Sequence, residues 1–343
     1  MKKQQFIFIV VMLSCISFYG QNIFDYEKEI PNKENYLFRD INFKVLAKKD
    51  SITLTGTLIR PKGEFDKLII IVPGSGADTR NSHYMLTEKL LQNNIAVYRY
   101  DERGVGKSGG KFNTANNTIT TMAEELESCI ETLRKIGLVK KIGLLGHSQG
   151  GMVTIQAYKD RAPVDFLIQC STPVQKYGAF IKYQIVSGQN NFNDLITIDD
   201  VDRKLEIVSA LHKVVEENPD VDDWSLTKKL DKVSRKIGYT KKYYSRFPYL
   251  TLASEKDIVR KNFEPTYKNI QVPVLYIVGS RDTFIDPVAE IKTIEGFGNE
   301  NITAIKMKGL THYLTSGKLT LQTLYEIDNS AVAAILEWLN QLK

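Results

Sequence analysis

Six short apolar runs recur along this chain: Leu68 to Val72, Ile95 to Tyr98, Ile142 to Leu145, Phe166 to Ile168, Val272 to Val278 and Ile302 to Ile305. A strand that alternates apolar and polar residues buries one face, whereas a run without alternation buries both. Helical spacing fills most of the intervals. Met122 to Leu138 carries Met122, Leu126, Cys129, Ile130, Leu133 and Ile136 on one stripe, and Ala331 to Leu342 repeats the pattern with Val332, Ile335, Leu336 and Leu339. Doubly buried strands separated by helices predict an α/β fold, with a mainly parallel central sheet flanked by helices on both sides.

Two stretches break this rhythm. From Asn42 to Ile59 apolar and polar residues alternate around Lys48-Lys49-Asp50, which predicts an antiparallel hairpin at a sheet edge. Between about Lys176 and Asn269 the strand-helix alternation stops. Polar helices replace it, one with Leu205, Val208, Leu211 and Val215, another with Leu226, Leu230, Val233 and Ile237 before a stop at Gly238. Residues 176–269 are therefore expected to form a helical cap insertion over one end of the sheet, between core segments 21–175 and 270–343.

The first twenty residues read as an export signal: Lys2 and Lys3 precede the apolar run Phe6 to Leu13, and Gly20 stands before the polar Gln21 and Asn22. Cleavage before Gln21 and a periplasmic or secreted location follow as expectations. Cys15 after Leu13-Ser14 offers a lipoprotein site as the weaker alternative. The run is too short to span a bilayer, and no later stretch reaches the roughly 18 apolar residues that a membrane helix needs, so no stable membrane insertion is expected. Net charge is +6, from 46 basic and 40 acidic residues, without an Arg cluster or a basic-aromatic stripe, which argues against a nucleic-acid partner. Beyond the signal only Cys129 and Cys170 occur, too few for a disulfide scaffold, and both read as buried thiols. The four His are dispersed, with no His-x-x-x-His and no Cys-x-x-Cys, so no metal is expected and the chemistry below requires no cofactor.

Chemistry concentrates in Ile142-Gly143-Leu144-Leu145-Gly146-His147-Ser148-Gln149-Gly150-Gly151, where an apolar strand turns into a helix through Gly-x-Ser-x-Gly. The turn around Ser148 is so tight that side chains two residues away would clash, hence Gly146 and Gly150, and the strain exposes the hydroxyl. The Gln149 N–H then points to where an oxyanion would form. Gly106-Lys107-Ser108-Gly109-Gly110 matches the same pattern, but Asp101-Glu102-Arg103-Gly104 precedes it instead of a strand and no helix follows. Context selects Ser148. Gly104 to Gly109 also fits Gly-x-Gly-x-x-Gly, yet no helix opens at its last Gly, and Asp101 stands where a Walker A loop needs Gly.

A serine hydroxyl needs a base, and the base an acid to fix its tautomer. Asp282 and His312 each lie in a loop after an apolar strand, where α/β sheets place ligands. The order is Ser148, Asp282, His312, with Asp286 as substitute acid. Ile71-Val72-Pro73-Gly74-Ser75-Gly76 leaves a strand into a Gly-rich bend that can present the Ser75 N–H as second oxyanion donor.

Taken together, Pro73-Gly74-Ser75-Gly76, the Asp101 to Gly110 loop, Gly146-His147-Ser148-Gln149-Gly150-Gly151, Gly279-Ser280-Arg281-Asp282 and Gly309-Leu310-Thr311-His312 resemble the α/β-hydrolase superfamily. The branch they look most like is that of bacterial carboxylesterases and serine aminopeptidase-like hydrolases, from about residue 40 to the end, the insertion excepted. The resemblance implies an α/β-hydrolase fold with nucleophile Ser148, acid Asp282, base His312 and oxyanion donors Ser75 and Gln149. Pro73 departs from the His that many members carry before the Gly; the donor is a backbone group, so the oxyanion hole is expected to survive. The expectation is a serine hydrolase that cleaves a small-molecule carboxylic ester, with an aminopeptidase on the same residues, or an inactive binding protein, as alternatives. In the insertion, Tyr243, Tyr244, Phe247 and Tyr249 could line an acyl pocket or form a small core. Glu216 and Glu217 could meet a substrate amine or stand in solvent.

Overall fold

In a computed structural model of the chain the described residues are 27–47, 50–112, 117–138, 141–189, 201–239, 250 and 252–342. Eight strands form one sheet: β1 (Tyr36–Ala47), β2 (Asp50–Pro61), β3 (Lys67–Val72), β4 (Ala96–Tyr100), β5 (Lys141–His147), β6 (Phe166–Cys170), β7 (Val274–Gly279) and β8 (Ile302–Met307). Their spatial order is β1-β2-β4-β3-β5-β6-β7-β8. From β4 to β8 every pairing is parallel; the hairpin β1-β2 and its junction with β4 are antiparallel. The alternating hairpin thus sits at the edge as its pattern predicts, but it is longer, from Tyr36 to Pro61.

Strand parity divides the apolar residues between two layers. Leu68, Ile70 and Val72 point into one cluster with α2 (Ile119–Ile136) and α3 (Gln149–Lys159); Ile69 and Ile71 point into the other, with α1 (Tyr84–Gln92) and α10 (Asn329–Gln341). Both faces being covered is what strands without alternation require. Cys129 and Cys170 are free, buried thiols that lie in opposite clusters, so the sheet stands between them.

Between β6 and β7 lie α4 (Ala179–Ser187), α5 (Val201–Glu216), α6 (Asp223–Lys236), α7 (Ala253–Arg260) and the short α8 (Glu264–Lys268). Ile181, Ile185, Ile207, Val208, Leu211, Leu226, Leu230 and Val259 form a third hydrophobic cluster separate from the two sheet layers. The spacing read on α5 and α6 is that of this cluster, and Gly238, at φ 73°, follows the end of α6. Tyr243, Tyr244, Phe247 and Tyr249, like residues 1–26, lie outside the described residues. α9 (Pro287–Gly296) connects β7 to β8. Among the described residues no helix is long and apolar enough to cross a membrane.

Candidate active site

Ser148 follows β5 directly and caps α3 with φ 54° and ψ −118°, a conformation that L residues rarely adopt and that only tight surroundings sustain. Those surroundings are glycine contacts. A Cβ on Gly146 would lie 2.5 Å from the Gly151 Cα, and one on Gly150 would lie 2.2 Å from the carbonyl oxygens of both Val72 and Pro73. Gly151, which the spacing argument did not single out, faces the Thr172 hydroxyl so closely that a Cβ would meet it at 1.8 Å. With three side chains removed, the α3 N-terminus docks against the end of β3. Ser148 N–H donates to the Cys170 carbonyl at 2.9 Å. Among the described residues no hydrogen bond engages the Ser148 hydroxyl.

The parallel order carries the β7 and β8 loops to the same end of the sheet. Asp282 and His312, 2% and 3% exposed, meet there: His312 Nδ1 lies 2.7 Å from Asp282 Oδ2. A carboxylate accepts, so Nδ1 carries the proton and Nε2 keeps a free electron pair. The other carboxylate oxygen accepts the N–H groups of Phe284 (2.8 Å) and Ile285 (3.0 Å), which fixes the carboxylate in one orientation. Gly279 is needed where these loops cross, since its Cβ would lie 2.3 Å from the carbonyl oxygens of Leu310 and Thr311. Phe284 stacks on the His312 ring, with centroids 4.5 Å apart and planes at 29°.

His147 joins the two halves of the site. Its Nε2 lies 3.1 Å from the His312 carbonyl oxygen, which can only accept, so Nε2 is the protonated nitrogen. Burial, with His312 and His83 adding like charge, holds this imidazole well below its ordinary pKa and keeps it neutral. No sequence pattern had marked His147 beyond its place before Ser148. Beside it runs the Gly74 bend: a Cβ on Gly74 would lie 3.5 Å from the Ser148 Cβ, and the exposed Ser75 is the next residue along.

The remaining candidates have other duties. Asp286 caps α9, accepting from Val288 and Ala289 N–H at 2.9 and 3.1 Å, and is not a spare acid for His312. Ser108 donates to the Asp101 carbonyl at 2.6 Å and accepts from Thr55 N–H at 2.9 Å. Asp101 itself grips the Arg80 guanidinium at 3.1 and 2.7 Å and the Lys107 N–H at 2.8 Å, so the Gly-rich loop around Ser108 is structural. Its next residue, Glu102, accepts from Asp78 N–H and so braces the segment after Ser75. Glu216, the last residue of α5, and Glu217 in the turn after it are both exposed, the latter 3.7 Å from Lys213. Among the described residues no cluster of His, Cys, Asp and Glu is placed to hold a metal ion.

Comparison with known proteins agrees with the fold. The profile of the family described as serine aminopeptidase, S33, matches residues 63–318. An esterase of Pyrococcus furiosus superposes with a TM-score of 0.57 at 18% identity, covering 92% of this chain and 95% of that one. A thermophilic esterase of Thermogutta terrifontis, solved with malate bound, gives 0.52 at 19% identity, with 89% and 99% covered. A bromoperoxidase of Bacillus anthracis gives 0.52 at 16% identity, with 88% and 100% covered. At such identities these likenesses speak for the fold. No curated protein matches the chain. Sheet order, the strained turn at Ser148 and the profile match over most of the chain lead to one assignment: this protein belongs to the serine aminopeptidase, S33, family of the α/β-hydrolase superfamily.

Proposed function

We propose that this hydrolase cleaves small-molecule carboxylic esters through an acyl-enzyme on Ser148, His312 and Asp282. The observation that carries the reading is the buried 2.7 Å contact between His312 Nδ1 and Asp282, which assigns the proton to Nδ1 and leaves Nε2 available at the end of the sheet where the half-buried Ser148 sits in its strained turn. In the mechanism His312 Nε2 takes the Ser148 proton as Oγ attacks the carbonyl, and Asp282 stabilises the imidazolium. The N–H groups of Gln149, at the head of α3, and of Ser75 receive the oxyanion. His312 returns the proton to the leaving alcohol, and water, activated in the same way, releases the acid. The serine-histidine hydrogen bond is made when substrate closes the site, as catalytic contacts in free enzymes often are. Residues 176–269, which include α4–α8, are the proposed cap, and residues 1–20 the proposed export signal.

A fluorophosphonate probe should label Ser148 in the folded protein and leave Ser148→Ala unlabelled; absence of an adduct on the wild type would remove the reading. The family description makes amide hydrolysis the second reading. Amino-acyl amides and graded acyl esters offered side by side separate the two. Solvent exposure of Glu216 and Glu217 gives the amine-binding role no support from those residues.

A further inference from the structure

The acid loop is held from a second direction, by the first helix of the segment between β6 and β7. Three consecutive carbonyls of that loop each accept a hydrogen bond from α4: Asp282 from the Tyr183 hydroxyl at 3.1 Å, Thr283 from the Ser187 hydroxyl at 2.6 Å and Phe284 from the Gln184 amide at 3.1 Å. The Thr283 hydroxyl returns a bond to Gln189 at 2.8 Å. Side chains at 183, 184 and 187 share one face of a helix, while Ile181 and Ile185 on another face are buried in the third hydrophobic cluster. α4 therefore touches the helical cluster on one side and the backbone of the acid loop on the other. The chain leading into it is fixed as well, because wholly buried Glu290 accepts the Val174 and Gln175 N–H groups at 2.9 and 3.0 Å.

What this backbone carries explains why its position matters. Asp282 supplies both the bond to His312 and the bonds to Phe284 and Ile285 N–H, and Phe284 lays its ring on the imidazole. The His312–Asp282 contact is short and buried, so a shift of the loop alters the direction in which Nε2 points. Misplacement of a reacting group by about 1 Å can cost a hundredfold in rate. We propose that Tyr183, Gln184 and Ser187 are positioning residues for His312 and that α4 links the packing of the helical segment to the orientation of the base. This inference rests on the proposed role of His312 as base, and its test includes a readout that does not need turnover.

The test is the combined variant Tyr183→Phe, Gln184→Met and Ser187→Ala, which removes three donors at nearly constant volume. With p-nitrophenyl acetate as probe, kcat should fall by about ten- to a hundredfold while KM stays within about twofold. In protein labelled with 15N-histidine, where only four His report, the low-field proton of His312 Nδ1 should broaden or shift relative to the wild type. Restoring a hydroxyl with Thr at position 187 should recover part of the kcat. A folded triple variant with unchanged kcat and an unchanged His312 resonance overturns the proposal, as does an effect confined to KM. If the triple variant does not fold, Tyr183→Phe alone is judged by the same two readouts. A wild type without esterase activity whose His312 resonance still responds to the variants would keep the positioning role and overturn only the reaction assigned to the site.

Discussion

The chain contains Gly-x-Ser-x-Gly twice, at Ser108 and at Ser148, and the two turns have opposite fates. Ser108 spends its hydroxyl on the Asp101 carbonyl and the Thr55 N–H, inside a loop organised by the Asp101–Arg80 ion pair. Ser148 has its backbone held by packing and its hydroxyl free of hydrogen bonds among the described residues. The same residue types therefore build either a structural knot or a strained turn that leaves the hydroxyl unengaged, the turn proposed to carry the nucleophile. The difference lies in what stands around them: a strand ahead, a helix behind, and glycines that let backbone touch backbone.

The strongest way to break this contrast is to exchange the serines for alanine. Ser148→Ala should lower turnover of an activated ester by about a millionfold with the unfolding midpoint preserved; comparable loss in Ser108→Ala would reverse the assignment. Next in size is a methyl group on the packed turn. Gly150→Ala must push apart the ends of β3 and α3, and a loss of about 3 kcal/mol in urea unfolding is expected. Gly63→Ala, with open space around it, serves as the neutral control.

Acid sharpens the comparison further. Near Ser148, burial keeps His83 down to about 3, Arg99 adding to the effect, and His147 well below its usual value. The unfolded chain takes up protons below about pH 6.5 while these side chains do not. Stability should fall as pH drops from there toward 3, by roughly 1.4 kcal/mol per unit for each fully shifted His. Near Ser108 the sign is opposite: burial, then Asp78, raises the Glu102 carboxyl well above its usual range. The native state keeps that proton above pH 4.5, so Glu102 costs stability as pH rises. Glu102→Gln should steepen the acid-side loss measured by urea unfolding between pH 4 and 8; an unchanged profile contradicts the argument. The smallest effect is on stability in Ser108→Ala, about 1 kcal/mol from a Thr55 N–H left without its acceptor, with kcat/KM unaltered.

The parallel sheet was legible because strands buried on both faces are dominated by apolar residues, Arg99 and Gln169 being buried exceptions, and the Ser148 turn because its glycines are demanded by contacts of 2.2 to 2.5 Å. Asp282 and His312 could be chosen from their loops, and the structure brings those two together. Other parts gave no readable signal. The hairpin extends back to Tyr36, since Tyr36 to Asp40 at the exposed edge does not alternate cleanly. α4 escaped notice because its face toward the 282–284 loop is polar: Tyr183, Gln184 and Ser187 meet carbonyls there, so apolar periodicity cannot reveal it. Asp286 was open to misreading although Pro287 follows it, a pairing that marks a helix start. His147 is invisible in one dimension because its partner, the His312 carbonyl, is 165 residues away.

The contacts at Gly146, Gly150 and Gly151 also bear on how such an enzyme can diversify. Saturation libraries at those three sites should return almost nothing but glycine, because every larger residue collides with main chain or with Thr172. Innovation in what the catalyst accepts must then be written elsewhere, in side chains that can vary without disturbing the turn. Laboratory evolution for a new acyl group should accordingly enrich changes between β6 and β7 and leave the glycines around Ser148 untouched.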